Sequence, residues 1–264
     1  MDAVMLAKAM RDLRVGILSV HVWPTLAWQE IRQRYRRSVL GPFWLTISIG
    51  VLIAGMGPLY SRLFGQDTSS YFPHLAVSFI VWMLLASLIT EGCTSFMVAE
   101  GLIKEGRMPL TVHVLRVIWK NLIIFAHHAL ILVILFLFYP PPLSWALLLV
   151  PLAILAIAVN ALWVGLFLGM LCARFRDIPL IIQSIVQVMF FLTPVLWTPG
   201  ALGRHAWAAQ WNPLNHLLEI VRGPLLDGRV AATSWAAVIG MALVGFAFVL
   251  PVFARFRARV AYWV

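Results

Sequence analysis

Residues 121–173 read NLIIFAHHALILVILFLFYPPPLSWALLLVPLAILAIAVNALWVGLFLGMLCA, without one Asp, Glu, Lys or Arg between Asn121 and Ala173. A hydrocarbon core about 30 Å thick takes roughly 20 helical residues, so this run is too long for one crossing and long enough for two. Tyr139-Pro140-Pro141-Pro142 divides it, because consecutive prolines lack the N–H groups and the ring clearance that a helix interior requires. The reading is two membrane spans, near 115–138 and 144–172, joined by a tight turn at one face of the bilayer.

Outward from this pair the pattern repeats. Charged side chains are absent from Val39 to Ser61, from Phe72 to Thr90, from Ile178 to Gly203 and from Val230 to Ala254. These runs predict spans near 40–62, 72–92, 178–197 and 231–253, giving an all-α membrane protein with six transmembrane helices. Composition agrees: 62% of the 264 residues are hydrophobic and 11% charged, where a soluble domain carries about a quarter charged residues. A soluble helical bundle is set aside on that ground.

Six spans place both termini on one side. If that side is the cytoplasm, only Arg62, Arg204, Arg222 and Arg229 of the 20 Lys and Arg lie outside. Basic residues in short loops orient a membrane protein with their side inward. The termini are therefore expected to be cytoplasmic, in the bacterial inner membrane. The net charge of +10 reads as an inner-leaflet signature, not a nucleic-acid surface. No compact apolar stretch and small-residue cleavage site precede Arg32, so no cleavable signal peptide is expected. Cys93 and Cys172 fall near cytoplasmic ends of spans and are expected as free thiols.

Before the first span, Ala27, Trp28, Ile31, Tyr35 and Val39 recur at one-face helical spacing, with Arg32, Arg34, Arg36 and Arg37 around them. This is the pattern of an interfacial amphipathic helix. Two roles fit it: a positive-inside anchor, or a cluster in which Arg32, Arg34, Arg36 and Arg37 hold the diphosphate head group of a lipid by charge-assisted hydrogen bonds. Between spans two and three, Glu100 to Pro109 is short, charged and bounded by Gly101 and Gly106. It is a solvated loop or about two helical turns that dock on a cytoplasmic partner. Glu91 and Lys120 stand at nearly equal distances on either side of it. An antiparallel helix pair brings them together, or each reaches water separately.

On the outer side, Asn212-Pro213 supplies an N-cap and a first helical residue. Leu214, Leu217, Leu218, Val221 and Leu225 follow as an apolar stripe, disrupted at Gly223-Pro224. With Trp207 and Trp211 nearby, the segment reads as a short re-entrant hairpin or an amphipathic surface helix.

Catalytic signatures are missing. Lys8, Lys104 and Lys120 each lack a preceding glycine, so no phosphate-binding loop of the G-x-x-x-x-G-K-[ST] type is present. His127 and His128 are adjacent and point to different helix faces, which does not make an i,i+4 zinc pair. No metal or cofactor is expected in this chain, and any ATP with its Mg belongs to a partner. Phe43, Trp44, Phe190, Phe191 and Trp197, at ends or cores of spans one and five, are the aromatics singled out for stacking on sugar rings. Lipid or core packing is the alternative for each.

Four stretches resemble the ABC-2 type permeases that export lipid-linked polysaccharides, the O-antigen branch and its teichoic-acid relatives. They are Arg34-Tyr35-Arg36-Arg37-Ser38-Val39-Leu40-Gly41-Pro42-Phe43-Trp44, then Gly106-Arg107-Met108-Pro109-Leu110 with Val114-Leu115-Arg116-Val117, then Arg174-Phe175-Arg176-Asp177-Ile178, and Asn212-Pro213 through Glu219-Ile220-Val221-Arg222. The resemblance implies a homodimer of six-span subunits with two nucleotide-binding ATPase subunits. It implies that Glu100, Lys104, Glu105 and Arg107 belong to a coupling segment, 100–109, that docks on the ATPase. It further implies that 198–229 forms an outward gate, that spans one and five line the channel, and that the cargo is a glycan on undecaprenyl diphosphate. The chain then divides into a cytoplasmic N-terminal segment, 1–38, and a six-span domain, 39–264. Three other readings stand beside it: an ABC-2 exporter of a small hydrophobic drug or lipid, a membrane enzyme on lipid-linked sugars using Glu91 or the histidines, and an ion-coupled transporter. The last is disfavoured by the absence of mid-span acids.

Overall fold

Prolines and charges mark where the helices stop. The computed structural model describes residues 3–36, 41, 43–106, 108–198, 200 and 207–264, and among these only helices and their connections occur, with no strand. In chain order the helices are α1 (Ala3–Leu18), α2 (Trp23–Arg34), α3 (Phe43–Leu63), α4 (Thr68–Thr94), α5 (Glu100–Lys104) and α6 (Leu110–Phe138). They continue as α7 (Val150–Arg174), α8 (Ile178–Leu192), α9 (Trp207–Gln210), α10 (Pro213–Arg222), α11 (Ala232–Phe256) and α12 (Val260–Trp263). Of the residues singled out from the sequence, Arg37, Ser38, Val39, Leu40, Pro42, Arg107 and Arg204 lie outside the described residues.

Five stretches are long and apolar enough to cross a bilayer: α3, α4, α6, α7 with the 3-10 turn before it, and α11 with its C-terminal extension. The sixth expected span, 178–197, is α8, apolar but only 15 residues long. At 1.5 Å per residue it reaches about 22 Å, short of the ~30 Å core. It ends at Thr193, extended at φ −91° and ψ 139°, because the residue before a proline, here Pro194, avoids the helical region.

α4 is the axle of the bundle. In its most apolar stretch 67% of residues are buried, against 22% in each of the other spans. α3, α6, α7, α8 and α10 all pack on it. In its seam with α7 two glycines meet, a Cβ on Gly92 standing 3.4 Å from Gly165 Cα, and Gly165 also admits α6, since a Cβ there would meet Val114 Cγ1 at 2.6 Å. Small residues at such crossings let helix backbones approach, which is how helices gain van der Waals contact where lipid offers no hydrophobic drive.

α1 is a helix that the run pattern of the sequence does not predict. It packs on α6 and α11, and its Asp12 is buried where α6 begins. Helix α6 has no side-chain cap of its own. Asp12 accepts instead from the Leu110 N–H (3.3 Å), the Thr111 N–H (3.1 Å) and the Thr111 hydroxyl (2.8 Å), and pairs with Arg257 at 2.8 Å. A carboxylate from another helix thus satisfies orphan donors and complements the positive end of the α6 dipole.

Candidate functional site

The end of the bundle that carries both termini concentrates the charged groups. There α2 lies along α6 with Ala27 and Ile31 buried, and the Trp23 ring meets Trp119 edge-on at 5.3 Å. The apolar stripe read for this helix is therefore split: Ala27 and Ile31 face protein, while Trp28 is exposed. Docked this way, Glu30 pairs with Lys120 and stands 3.6 Å from Arg116. Lys120 also reaches Glu91 Oε2 at 2.9 Å, and the Asn121 amide donates to the same oxygen at 2.7 Å. Arg34 closes the other side of Glu91 at 3.8 Å. Of the two arrangements open to Glu91 and Lys120, the pair across the loop is the one formed. Glu30, which the sequence argument did not single out, is its third member, and the signal for it was a lone carboxylate in an otherwise basic helix.

The four candidate head-group arginines separate. Arg32 and Arg36, one helical turn apart, line a cleft of about 260 Å³ with Gln29 and Gln33. Two guanidiniums flanked by two amides make a donor set suited to anionic oxygens. Arg34, half a turn round, is the one drawn to Glu91, and Arg37 lies outside the described residues.

α5, which packs against α12, forms a single short turn with Ile103 buried and Glu100, Lys104 and Glu105 exposed. Lys104 bonds Glu100 at 2.5 Å, i to i+4, and its ammonium holds the Glu100 carboxyl below the ordinary carboxylate range, with a further contribution from Arg176. Gly106 ends the element at φ +68°, a conformation that favours glycine.

The singled-out aromatics sit on α3, on α8 and just after α8. Phe43 and Trp44 are exposed at the start of α3, with Phe43 edge-on to His127 at 5.5 Å. Phe190 is wedged among Phe79 and Trp82, midway along α4, and Phe191, at centroid distances of 6.0, 5.7 and 5.2 Å. Phe191 is exposed, and the Trp197 indole donates to the Phe191 carbonyl at 2.9 Å. Phe190 is thus a packing residue between α4 and α8, while Phe43, Trp44 and Phe191 present free faces.

The segment after α8 is tied down by polar contacts. Asn212 caps α10, accepting from Leu214 N–H at 3.0 Å, and donates to Thr193 Oγ1 at 2.8 Å. The stripe of Leu217, Leu218 and Val221 is buried against protein, and α10 passes into a π-helical turn, Gly223–Asp227, that ends at Gly228. Buried Arg222 pairs with Glu219 at 2.5 Å and donates to the Pro194 carbonyl at 2.8 Å. Glu219 also pairs with Arg229 at 2.6 Å. The Tyr71 hydroxyl donates to the Leu196 carbonyl at 2.6 Å, joining α4 to the same segment.

The sequence that forms these helices matches a known family. The ABC-2 type transporter family matches residues 21–226, from the start of α2 to the end of the segment after α10. The chain is 23% identical over 197 residues to the O-antigen export system permease protein RfbA of Myxococcus xanthus, covering 75% of this chain and 76% of that protein. Two Klebsiella pneumoniae proteins of the same name are 23% identical over 205 residues and 24% identical over 204, each across 76% of this chain and 79% and 78% of their own length. A family match over most of its length, on a multi-pass helical membrane architecture, makes this chain a member of the ABC-2 type transporter family.

Proposed function

We propose that the chain is the transmembrane permease subunit of an ATP-driven exporter that moves a lipid-linked polysaccharide, of the O-antigen class on undecaprenyl diphosphate, across the bacterial inner membrane. The observation that carries this reading is alignment across at least three quarters of both chains with relatives named as O-antigen export permeases. Two copies facing each other across α3 and α8, whose exposed faces are apolar, would enclose the channel. In it Phe43, Trp44 and Phe191 offer ring faces to sugars, while Phe190 and Trp197 set the position of Phe191. α8 and the residues after it make the sixth crossing of the 39–264 unit, and 198–229 forms the gate on the outer side.

Both termini and segment 1–38 lie in the cytoplasm on this reading. Arg32 and Arg36 then receive the diphosphate, with Arg34 and Arg37 beside them. ATP and Mg are held by two nucleotide-binding subunits docked on the coupling segment through Glu100, Lys104, Glu105 and Arg107. ATP drives transport only if its binding favours one docked geometry over another. The test is co-purification with the ATPase encoded beside this chain, followed by detection of glycan on the outer face of cells with and without the chain. A stable complex and glycan that stays inside when the chain is absent are expected. Glycan that reaches the surface without the chain overturns the proposal.

A further inference from the structure

We infer that the groove between α7 and α11, at the end of the bundle that carries the termini, binds an anionic diacylphospholipid of the adjoining leaflet. The groove has a volume of about 540 Å³ and is walled by Phe167 and Met170 of α7 and by Val252 and Phe256 of α11, with Arg174 and Arg259 at its terminal end. From Phe167 to Arg174 it follows α7 for about 10 Å, at 1.5 Å per residue. Its apolar walls belong to two helices long and apolar enough to cross the bilayer, which on this inference sets acyl chain against them.

The arginines set the chemistry of the head group. Arg174 lies 5.7 Å from the Phe175 ring centroid and 5.8 Å from that of Trp263, and Arg259 lies 5.9 Å from that of Phe256. Neither forms a salt bridge with a carboxylate among the described residues, whereas the neighbouring Arg257 is paired with Asp12. Aromatic faces hold a guanidinium in place without neutralising it and leave its N–H donors open. Two oriented, uncompensated guanidiniums above an apolar slot complement a phosphate joined to two acyl chains. Basic pockets between spans at the membrane interface recognise acidic head groups by this combination. A zwitterionic lipid fills the slot equally well but brings its own cation to the arginines.

Native mass spectrometry of the purified full-length chain, titrated with phosphatidylglycerol, phosphatidylcholine and undecaprenyl phosphate, tests this. Phosphatidylglycerol is expected to be retained in preference to phosphatidylcholine at one saturable site. The double variant Arg174→Gln/Arg259→Gln is expected to weaken that retention roughly tenfold and to abolish the preference. Met170→Trp, which fills the slot and leaves both charges, is expected to weaken both phospholipids. Equal retention of the two phospholipids by the unaltered chain, or a preference that survives in the double glutamine variant, overturns the inference. Displacement of phosphatidylglycerol by undecaprenyl phosphate at equal concentration also overturns it, because the slot then belongs to the polyprenyl carrier.

Discussion

Lys120 Nζ stands 2.9 Å from Glu91 Oε2 and also pairs with Glu30, so one buried ammonium on α6 fastens both α4 and α2. Lys120→Met removes the cation these two carboxylates share. Breaking a fully buried pair costs about 3–5 kcal/mol. Here Glu30 and Glu91 keep 26% and 27% of their side-chain surface in solvent, and Arg116 and Arg34 remain, so the expected loss is about 2–3 kcal/mol. Thermal unfolding of the detergent-purified chain reads it. Lys120→Met/Glu91→Gln should recover part of the loss, since the two sites share one network. An unchanged Tm in the single variant would show that the cluster is dispensable.

Asp12 makes a second prediction at the same end. It fills the role of an N-cap, worth roughly 0.5–2 kcal/mol, and adds a charged bond to Arg257, so Asp12→Ala should cost about 2–3 kcal/mol. Asp12→Asn keeps an acceptor but loses the charge, and its effect should fall between the two. Limited proteolysis is the clearer readout. In the alanine variant the peptide from Ala3 to Leu18 should be cut early, while the membrane-embedded remainder stays intact. Equal cleavage in wild type and variant would mean that α1 is held by its apolar contacts alone.

The two devices differ in how far they could be read beforehand. Glu91 and Lys120 stood out because charges close to uncharged runs are few and the loop between them is short. Asp12 had no such signal: its partners Leu110 and Thr111 lie about a hundred positions away, and a carboxylate set among Lys8, Arg11 and Arg14 reads as solvated charge. The spans were legible because a bilayer demands long uncharged runs, and the start of α10 because Asn212-Pro213 is a local rule. The length of α8 is not legible from charge counting, which does not register Pro194, a residue that stops the helix while the apolar sequence continues. Of the head-group arginines, helix phase alone separates Arg34 from Arg32 and Arg36, but its destination at Glu91 depends on how α2 docks. The faces that Phe43, Trp44 and Phe190 present follow from packing between helices, which spacing within one helix does not contain.

At the opposite end Arg222 clamps α10 to the chain just after α8. Its Nη1 donates to the Pro194 carbonyl at 2.8 Å, and its Nε and Nη2 donate to Glu219 at 3.0 and 2.5 Å. Arg222→Gln leaves Glu219 with Arg229 as its partner, so the main loss is the tie to Pro194, about 1–3 kcal/mol for a charged donor to a buried carbonyl. Hydrogen exchange should quicken over 193–196 and over Pro213–Arg222 while α4 is unchanged. Arg222→Lys keeps the charge without the fork and should be intermediate. Exchange that does not differ from wild type would place the rigidity of this segment in the buried Leu217, Leu218 and Ile220 instead.

The short helix α5 allows docking to be separated from stability. Glu100, Lys104 and Glu105 are exposed and Ile103 is buried, so the charged residues carry little of the fold, because solvent screens an exposed i,i+4 pair. Lys104→Glu combined with Glu105→Lys reverses the surface pattern at no change in net charge and should leave Tm within a degree or two of wild type. If a partner ATPase docks on this turn through charge, the same variant should lose co-purification roughly tenfold, because opposed like charges penalise the bound state. Ile103→Asp serves as the contrast, burying a carboxylate without a partner and lowering Tm first. Both measurements belong on the same preparations. Normal ATPase retention by the charge-swapped chain would move the docking surface away from α5, with Arg32 and Arg36 of the α2 cleft as the next basic groups to exchange.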